Sequence, residues 1–455
     1  MGERIILHCD LNSFYASVEL LDKPALWEVP VAVCGDPKTR HGIILAKNEP
    51  AKKYGIQTAE TVWQAKKKCP GLVLLPPHHD LYKMWSVRVN DIYERFTDLI
   101  EPFGIDESWL DVTGSLHLFG GDAEKLANKI RKTVKNETGL TISVGVSFNK
   151  VLAKLGSDMK KPDATTIIPV DGWQNIVWPQ PLGNLLYAGR AATQTLKKYG
   201  IETIGQLAAC DPAMPEQLLG KMGRQLWEYA NGLDKSPVKP RHAADPVKSV
   251  GNGTTFPDDL VRWEQICAGL MPLCDSVAAR LRRHGLYAGG VSVTLKDVSF
   301  KTFSRQARLD APTHLVRDIY RAAADLARQL WKPPARLRSM TVTALYVTET
   351  CSTFQQLDLL DSTAQACGQR QGQRALRRRQ LAGRGRRTRK DPARRNDGIL
   401  QPRLQARTRT HQTAAGHDQR GRGTRKAVRR GGGRSGRNQQ HERRRRLQVR
   451  HQHTR

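Results

Sequence analysis

Short apolar runs punctuate the first 165 residues, and polar or amphipathic stretches separate them. The runs RIILHCD, VPVAVCG, GIILAKN and LVLLPP, the stretch EPFGIDESWLDVTG, and TISVGVS are rich in β-branched residues and bounded by turn formers. That pattern predicts buried strands. Between them, residues 81–98 and 122–137 repeat apolar positions at helical spacing and predict helices. Strands alternating with helices in this way predict an α/β or α+β domain with helices packed on its sheet.

Residues 166–235 read as all-helical. Within them LYAGRAATQTLKKYGIETIGQLA has the spacing of two short helices joined by a tight turn, with Gly200 as the stop. The next stretch, around 236–252, gathers three prolines and many charges and reads as a linker. From Thr254 to about Thr350 the pattern runs strand, helix, strands, helix, strand, which predicts a second, smaller α+β domain. Lys296, Lys301, Arg305 and Arg308 lie along its strands.

Composition changes the picture chiefly at the C-terminal end. The 455 residues carry a formal net charge of +31 and are 39% hydrophobic, enough for several cores and too much for a wholly disordered chain. Such a charge points to polyanionic partners, nucleic acid first among them. It is unevenly placed. Residues 1–360 hold a net of +7 and residues 361–455 a net of +24, with 27 Arg against 2 Lys; Phe354 is the last aromatic residue. No signal peptide or apolar run of membrane-spanning length is read, and the eight cysteines have no metal-ligand spacing. Reduced thiols and a cytoplasmic setting are therefore expected.

The chemistry concentrates near three acids. Asp10 ends an apolar strand just before a helix begins, a place that suits either a helix cap or a cation bridging to phosphates. Asp106 and Glu107 adjoin one another in an apolar strand context, where carboxylates are costly unless they bind metal or face water. Strand alternation sends neighbours to opposite faces, so both reach one site only at a strand end or turn, which Gly104 permits. Carboxylates brought together from two strands are what two-metal phosphoryl or nucleotidyl transfer requires. Lys161, with Lys47, Lys52 and Lys53, offers charge for a triphosphate.

With these residues in view the chain resembles the Y-family of translesion DNA polymerases, the bacterial DNA polymerase IV type in particular. The resemblance runs from about Ile5 to Leu360. It is carried by HCDLNSFYASVE, AKKYGIQTAE, FGIDESWLDVTG, SVGVSFNKVLAKLGSDMKKPDA, the helical hairpin, KSVGNGTTF and QLDLL. It implies an α+β right-hand polymerase with a palm (1–20 and 72–165), fingers (21–71), a helical thumb with a helix-hairpin-helix-like motif (166–235), a linker (236–252) and an α+β little finger (253–353). It further implies Asp10, Asp106 and Glu107 as the catalytic carboxylates, holding two Mg²⁺ ions together with the Leu11 carbonyl. Tyr15 becomes the steric gate against a ribose 2′-hydroxyl, beside Phe14, and Lys52 and Lys161 bind the nucleotide. Gly189, Lys296, Lys301, Arg305 and Arg308 become DNA contacts. A low-fidelity, monomeric, nucleoid-associated enzyme without proofreading, using primer–template DNA and deoxynucleoside triphosphates, is the expectation.

Three motifs depart from the family pattern. In the fingers, Glu49 and Lys52 stand where a Tyr and an Arg are common, and Lys cannot make the bidentate fork of Arg on phosphate. Gly104 replaces a frequent Ser. Tyr187 stands where the thumb hairpin commonly has its first glycine. At 354–361, FQQLDLLD resembles the pentapeptide with which bacterial polymerases dock on the sliding clamp (the β subunit), through Gln356, Leu357, Leu359 and Leu360. The Arg-rich tail, 362–455, has two readings: a basic arm for nonspecific nucleic-acid binding, or the product of a shifted reading frame. Two other functions compete with the polymerase, a noncatalytic DNA- and clamp-binding factor and a metal-dependent helix-hairpin-helix nuclease.

Overall fold

The computed structural model describes residues 4–37, 42–243 and 246–350. The clamp motif and the Arg-rich tail lie outside them. β1 (Ile6–Leu11) is buried along its whole length and leads into α1 (Phe14–Leu20). The chain then leaves to build a small sheet from β2 (Val31–Cys34), β3 (Ile44–Lys47) and, after α2 (Glu49–Lys52) and α3 (Val62–Lys68), β4 (Val73–Leu75). It returns through α4 (His79–Tyr93) to the hairpin of β5 (Ile100–Pro102) and β6 (Glu107–Asp111). Then follow α5 (Ala123–Thr138), β7 (Ile142–Ser147), α6 (Lys150–Met159) and β8 (Thr165–Ile167).

These strands form a five-stranded sheet in the order β5-β6-β1-β7-β8, with β1 in the middle. Alternation along β1 explains why it is buried on both sides. Leu7, Cys9 and Leu11 face a core shared with α4 and α5, while Ile6 meets Ala153 and His8 meets Ser157, both of α6. α6 lies so close to β7 that a Cβ on Gly145 would stand 1.9 Å from the Ala153 carbonyl oxygen. Glycine is required at that crossing. The small sheet extends past residue 71, the boundary read from the sequence: Val73–Leu75 pairs parallel with β2 and belongs there by hydrogen bonding.

After β8 come five short helices, α7 (Trp173–Val177), α8 (Arg190–Lys197), α9 (Ile204–Ala208), α10 (Ala213–Leu219) and α11 (Lys221–Ala230). Individually too short to stand alone, they share one core with Leu152 and Leu155 of α6, built on Trp173, Leu196, Ile204 and Leu226. Thr203 and Gln206 close a capping box at the start of α9.

The proline-rich segment that follows is docked on the five-stranded sheet, where its composition predicts a free linker. Val238 is 4% exposed, packed with Ile6, Trp109 and Ala153. Arg4 donates to the Ser236 carbonyl at 3.0 Å, the Lys239 N–H donates to Glu101 at 3.0 Å, and Arg241 bridges Asp91 at 2.6 Å and Glu94 at 2.8 Å on α4 and just beyond it. The segment is also shorter than read: β9 (Ser249–Leu260) has begun by residue 249.

β9, α12 (Trp263–Arg283), β10 (Tyr287–Asp297), β11 (Thr302–Thr313), α13 (Val316–Leu330) and β12 (Leu337–Thr348) make the last part. The sheet is antiparallel in the order β11-β10-β12-β9. Both helices cover one face, burying Val291, Val293 and Leu295 of β10 with Ile319 of α13. The other face is polar, carrying Ser292, Thr294 and Lys296.

Candidate active site

The carboxylates meet at the end of the β1–β6 pair. Asp10 stands opposite Glu107 in the antiparallel register, and the Leu11 N–H donates to the Asp106 carbonyl at 2.9 Å. Gly104, at φ +95°, turns the hairpin just before them. The turn brings the adjacent Asp106 and Glu107 to the end of the strand beside Asp10.

Asp10, Leu11, Asp106 and Lys161 line a cleft of about 380 Å³. Tyr15 and the buried Phe14 also line it, with Leu45, Ala46 and Lys47 of β3 and Thr58. Lys161 bonds Asp10 at 2.8 Å and Asp158 at 2.8 Å. Glu107 turns instead to Lys154 at 2.8 Å, with the buried His8 ring nitrogen 3.5 Å away. Burial pushes the Asp10 carboxyl up to about 7; Lys161 pulls against this and Glu107 adds to it. Burial and the Glu107 charge likewise raise Asp106. Glu107 is held at about 2, because the neighbouring His8 and Lys154 outweigh its burial. Crowded acids of this kind need positive charge.

Among the described residues no three His, Cys, Asp or Glu side chains converge on one point at ligand spacing. The donor set nevertheless fits a hard divalent cation, being carboxylate and carbonyl oxygen throughout. The ammonium groups of Lys161 and Lys154 now supply the charge that the carboxylates require.

Tyr15 stacks on Tyr82 of α4, with ring centroids 4.0 Å apart and planes 12° from parallel. Tyr82 is itself pinned by its hydroxyl, which donates to the buried Glu19 at 2.6 Å; His78 reaches the same oxygen at 2.8 Å. In the fingers, Lys52 bonds Glu49 at 2.5 Å, and the Ser13 hydroxyl donates to Glu49 at 3.2 Å. The acid beside the expected phosphate site is thus paired with the very lysine expected to bind phosphate.

The loop that carries Lys161 has a support that sequence reading missed. Asn12 donates to Ser143 at 2.9 Å and accepts the Asp163 N–H at 2.8 Å, and Arg131 and Lys135 bond the Asp163 carboxylate at 2.6 and 2.8 Å. His8 and Lys154 were missed likewise. The only signal for Asn12 was its place two residues after Asp10.

The expected DNA contacts stand apart from the cleft. Gly189 caps α8, two residues after Tyr187, which adopts φ +66°. Lys296 and Arg308 share the polar sheet face, since each pairs with a residue of that face or lies two steps along from one. Arg305 pairs with Val293, on the helix-covered face, and donates to Gln329 of α13 at 2.6 Å. It therefore faces away from Lys296 and Arg308, although all three lie along the strands. Lys301 lies in the turn between β10 and β11, 5.2 Å from the Phe303 ring.

Known proteins resemble this chain in sequence and in fold. The impB/mucB/samB family model matches residues 9–158, and the model of that family's C-terminal domain matches residues 247–359. The chain is 45% identical over 387 residues to the DNA polymerase IV of Acetivibrio thermocellus, covering 83% of this chain and 97% of that one. It is 38% identical over 357 residues to DNA polymerase IV 1 of Bacillus subtilis, covering 78% and 85%. Among solved structures, the Y-family DNA polymerase chimera Dbh-Dpo4(243-245)-Dbh aligns with TM-score 0.67 at 22% identity, over 76% of this chain and 100% of that one.

Proposed function

The chain belongs to the Y-family of translesion DNA polymerases, the impB/mucB/samB family, and from that membership we propose how its own residues divide the work of template-directed synthesis. The family works on primer–template DNA and deoxynucleoside triphosphates and depends on divalent metal. The nuclease and noncatalytic readings fall away with it. The observation that carries the site is the cleft lined by Asp10, Asp106 and Lys161 together with Lys47 of β3 and Lys52 of α2.

Asp10, Asp106 and the Leu11 carbonyl are the groups that would hold Mg²⁺, with Glu107 completing the set from the opposite strand. When bound, two Mg²⁺ ions supply the Lewis acidity that favours a primer 3′-oxygen nucleophile and a pyrophosphate leaving group. The primer 3′-oxygen bonds to the α-phosphorus as the α–β phosphoanhydride bond breaks. The chain's contribution is positioning and charge. Lys161, on its anchored loop, meets the triphosphate, and Lys47 and Lys52 approach it from the other wall. Tyr15, held flat by Tyr82, lies under the sugar and collides with a 2′-hydroxyl. Leu45 and Ala46 cover the base pair with small, apolar surface, which accommodates a damaged template at a cost in fidelity.

Around the cleft, the polar face of the last sheet, with Lys296 and Arg308, grips duplex phosphates without reading sequence. Docking on a sliding clamp through Gln356, Leu357, Leu359 and Leu360, a monomeric state and residence at the nucleoid complete the proposal. Among the described residues no helix is long and apolar enough to cross a membrane.

Primer extension on undamaged and lesion-bearing templates tests the assignment. The wild type extends both, and Asp106→Ala lowers the rate by about 10³-fold or more, the scale of losing a principal electrostatic group. A wild type that fails to extend any primer would sink the reading.

A further inference from the structure

The most exposed large apolar side chain among the described residues is Trp63, on α3, at 72%. Val62 and Ala65 of that helix are buried, so Trp63, Lys66 and Lys67 share its open side. Lys67 Nζ stands 5.6 Å from the Trp63 ring centroid. Neither Lys66 nor Lys67 has an ion-pair partner among the described residues, whereas Lys68 is occupied by Glu60 at 2.6 Å and the Gly55 carbonyl at 2.8 Å. A capping box between Thr61 and Gln64 fixes the start of the helix. An exposed indole flanked by free ammonium groups is costly to solvate and offers a flat ring beside positive charge.

Its place relative to the cleft is set by backbone bonding. Leu45 and Thr58 both line the cleft. From there β3 and the segment before α3 run outward side by side: the Ala59 N–H donates to Ile44 at 2.8 Å, the Ile44 N–H to Glu60 at 2.9 Å and the Val62 N–H to Gly42 at 2.8 Å. Trp63 is five residues beyond Thr58, a span of at most about 18 Å. Ile43, two residues before Leu45, is also exposed and bridges to Thr61 on the same path. A surface leading from the cleft thus ends in an aromatic ring with two free lysines.

We propose that Trp63, with Lys66 and Lys67, is a stacking platform for an unpaired base of the template strand a few nucleotides ahead of the templating position. The inference rests on the polymerase reading of the cleft. The chemistry is that of single-strand binding: the ring stacks on any base, and the lysines meet the flanking phosphates. Single-stranded template is a polyanion that template-directed synthesis brings to the cleft from which this surface leads. It is favoured for that reason over an acidic peptide, which the same charges would suit.

The test uses the full chain and labelled primer–templates with template overhangs of one or eight nucleotides, at fixed salt, read by fluorescence anisotropy. Wild type binds the longer overhang about five- to tenfold more tightly, the lower end of what stacking one or two bases supplies. Trp63→Ala brings the two affinities within about twofold of each other and leaves the short-overhang affinity and single-nucleotide insertion unchanged, which also shows that the variant is folded. Trp63→Phe keeps most of the preference. Replacing Lys66 and Lys67 together by Ala weakens the long-overhang complex and lowers its salt slope by about one to two. Equal weakening on both substrates, or no loss in Trp63→Ala, overturns the platform and leaves a protein partner as the use of the patch. A wild type that extends neither substrate instead overturns the polymerase reading itself.

Discussion

Glu49 and Lys52 show how much can turn on one ion pair. Both residues were visible in the sequence as departures from a Tyr and Arg pattern. Their pairing was not, because it depends on α2 being a single helical turn that sets them side by side, with Ser13 adding a third contact. An exposed pair of this kind is worth up to about 1 kcal/mol. Glu49→Gln frees Lys52 for phosphate, so KM for the incoming nucleotide falls about two- to fivefold with kcat unchanged, as steady-state insertion kinetics measure. Asn12 marks the opposite limit. Its partners, Ser143 and Asp163, are 131 and 151 residues away along the chain. No local pattern announces such a contact, although Asp10 two residues earlier was legible from its place at a strand end.

Elements were most legible where both of their faces are buried. β1 and β7 are continuous apolar runs because helices cover the sheet on each side, and their bounds follow from the sequence almost residue for residue. Legibility failed where partners decide the outcome. β4 reads as a palm strand until its parallel pairing with β2 is seen. Arg305 reads as one more basic residue along the strands until the register turns it toward α13. The thumb hairpin offers a sharper case, since Tyr187 holds φ +66° where a glycine is common. A non-glycine residue in that region costs roughly 1–2 kcal/mol, partly offset by the extra unfolded-state freedom that glycine brings. Tyr187→Gly accordingly stabilises the chain by about 0.5–1 kcal/mol, seen as a higher urea midpoint at constant slope. Destabilisation would mean that the Tyr187–Tyr229 ring contact, 6.4 Å between centroids, outweighs the backbone.

At the scale of the whole molecule, charge and composition were the poorest guides. The net of +31 resides mostly beyond Leu360, and the described residues are assembled by particular contacts rather than by the total. The segment from Ser236 to Arg241 is the clearest example. Two prolines and two basic residues spell a tether, yet a single buried valine and two ion pairs fasten it to the large sheet and α4. Burying a valine contributes about 1.5–3 kcal/mol, so Val238→Asp opens the segment and raises subtilisin cleavage within it by about tenfold or more. Mass spectrometry of the fragments locates the cut, and an unchanged cleavage rate would contradict the docking. The fastening also makes this segment a salt-sensitive joint: Arg241 and its two carboxylates, at 2.6 and 2.8 Å, tie it to α4 and the residue after that helix, and those ion pairs loosen as salt rises.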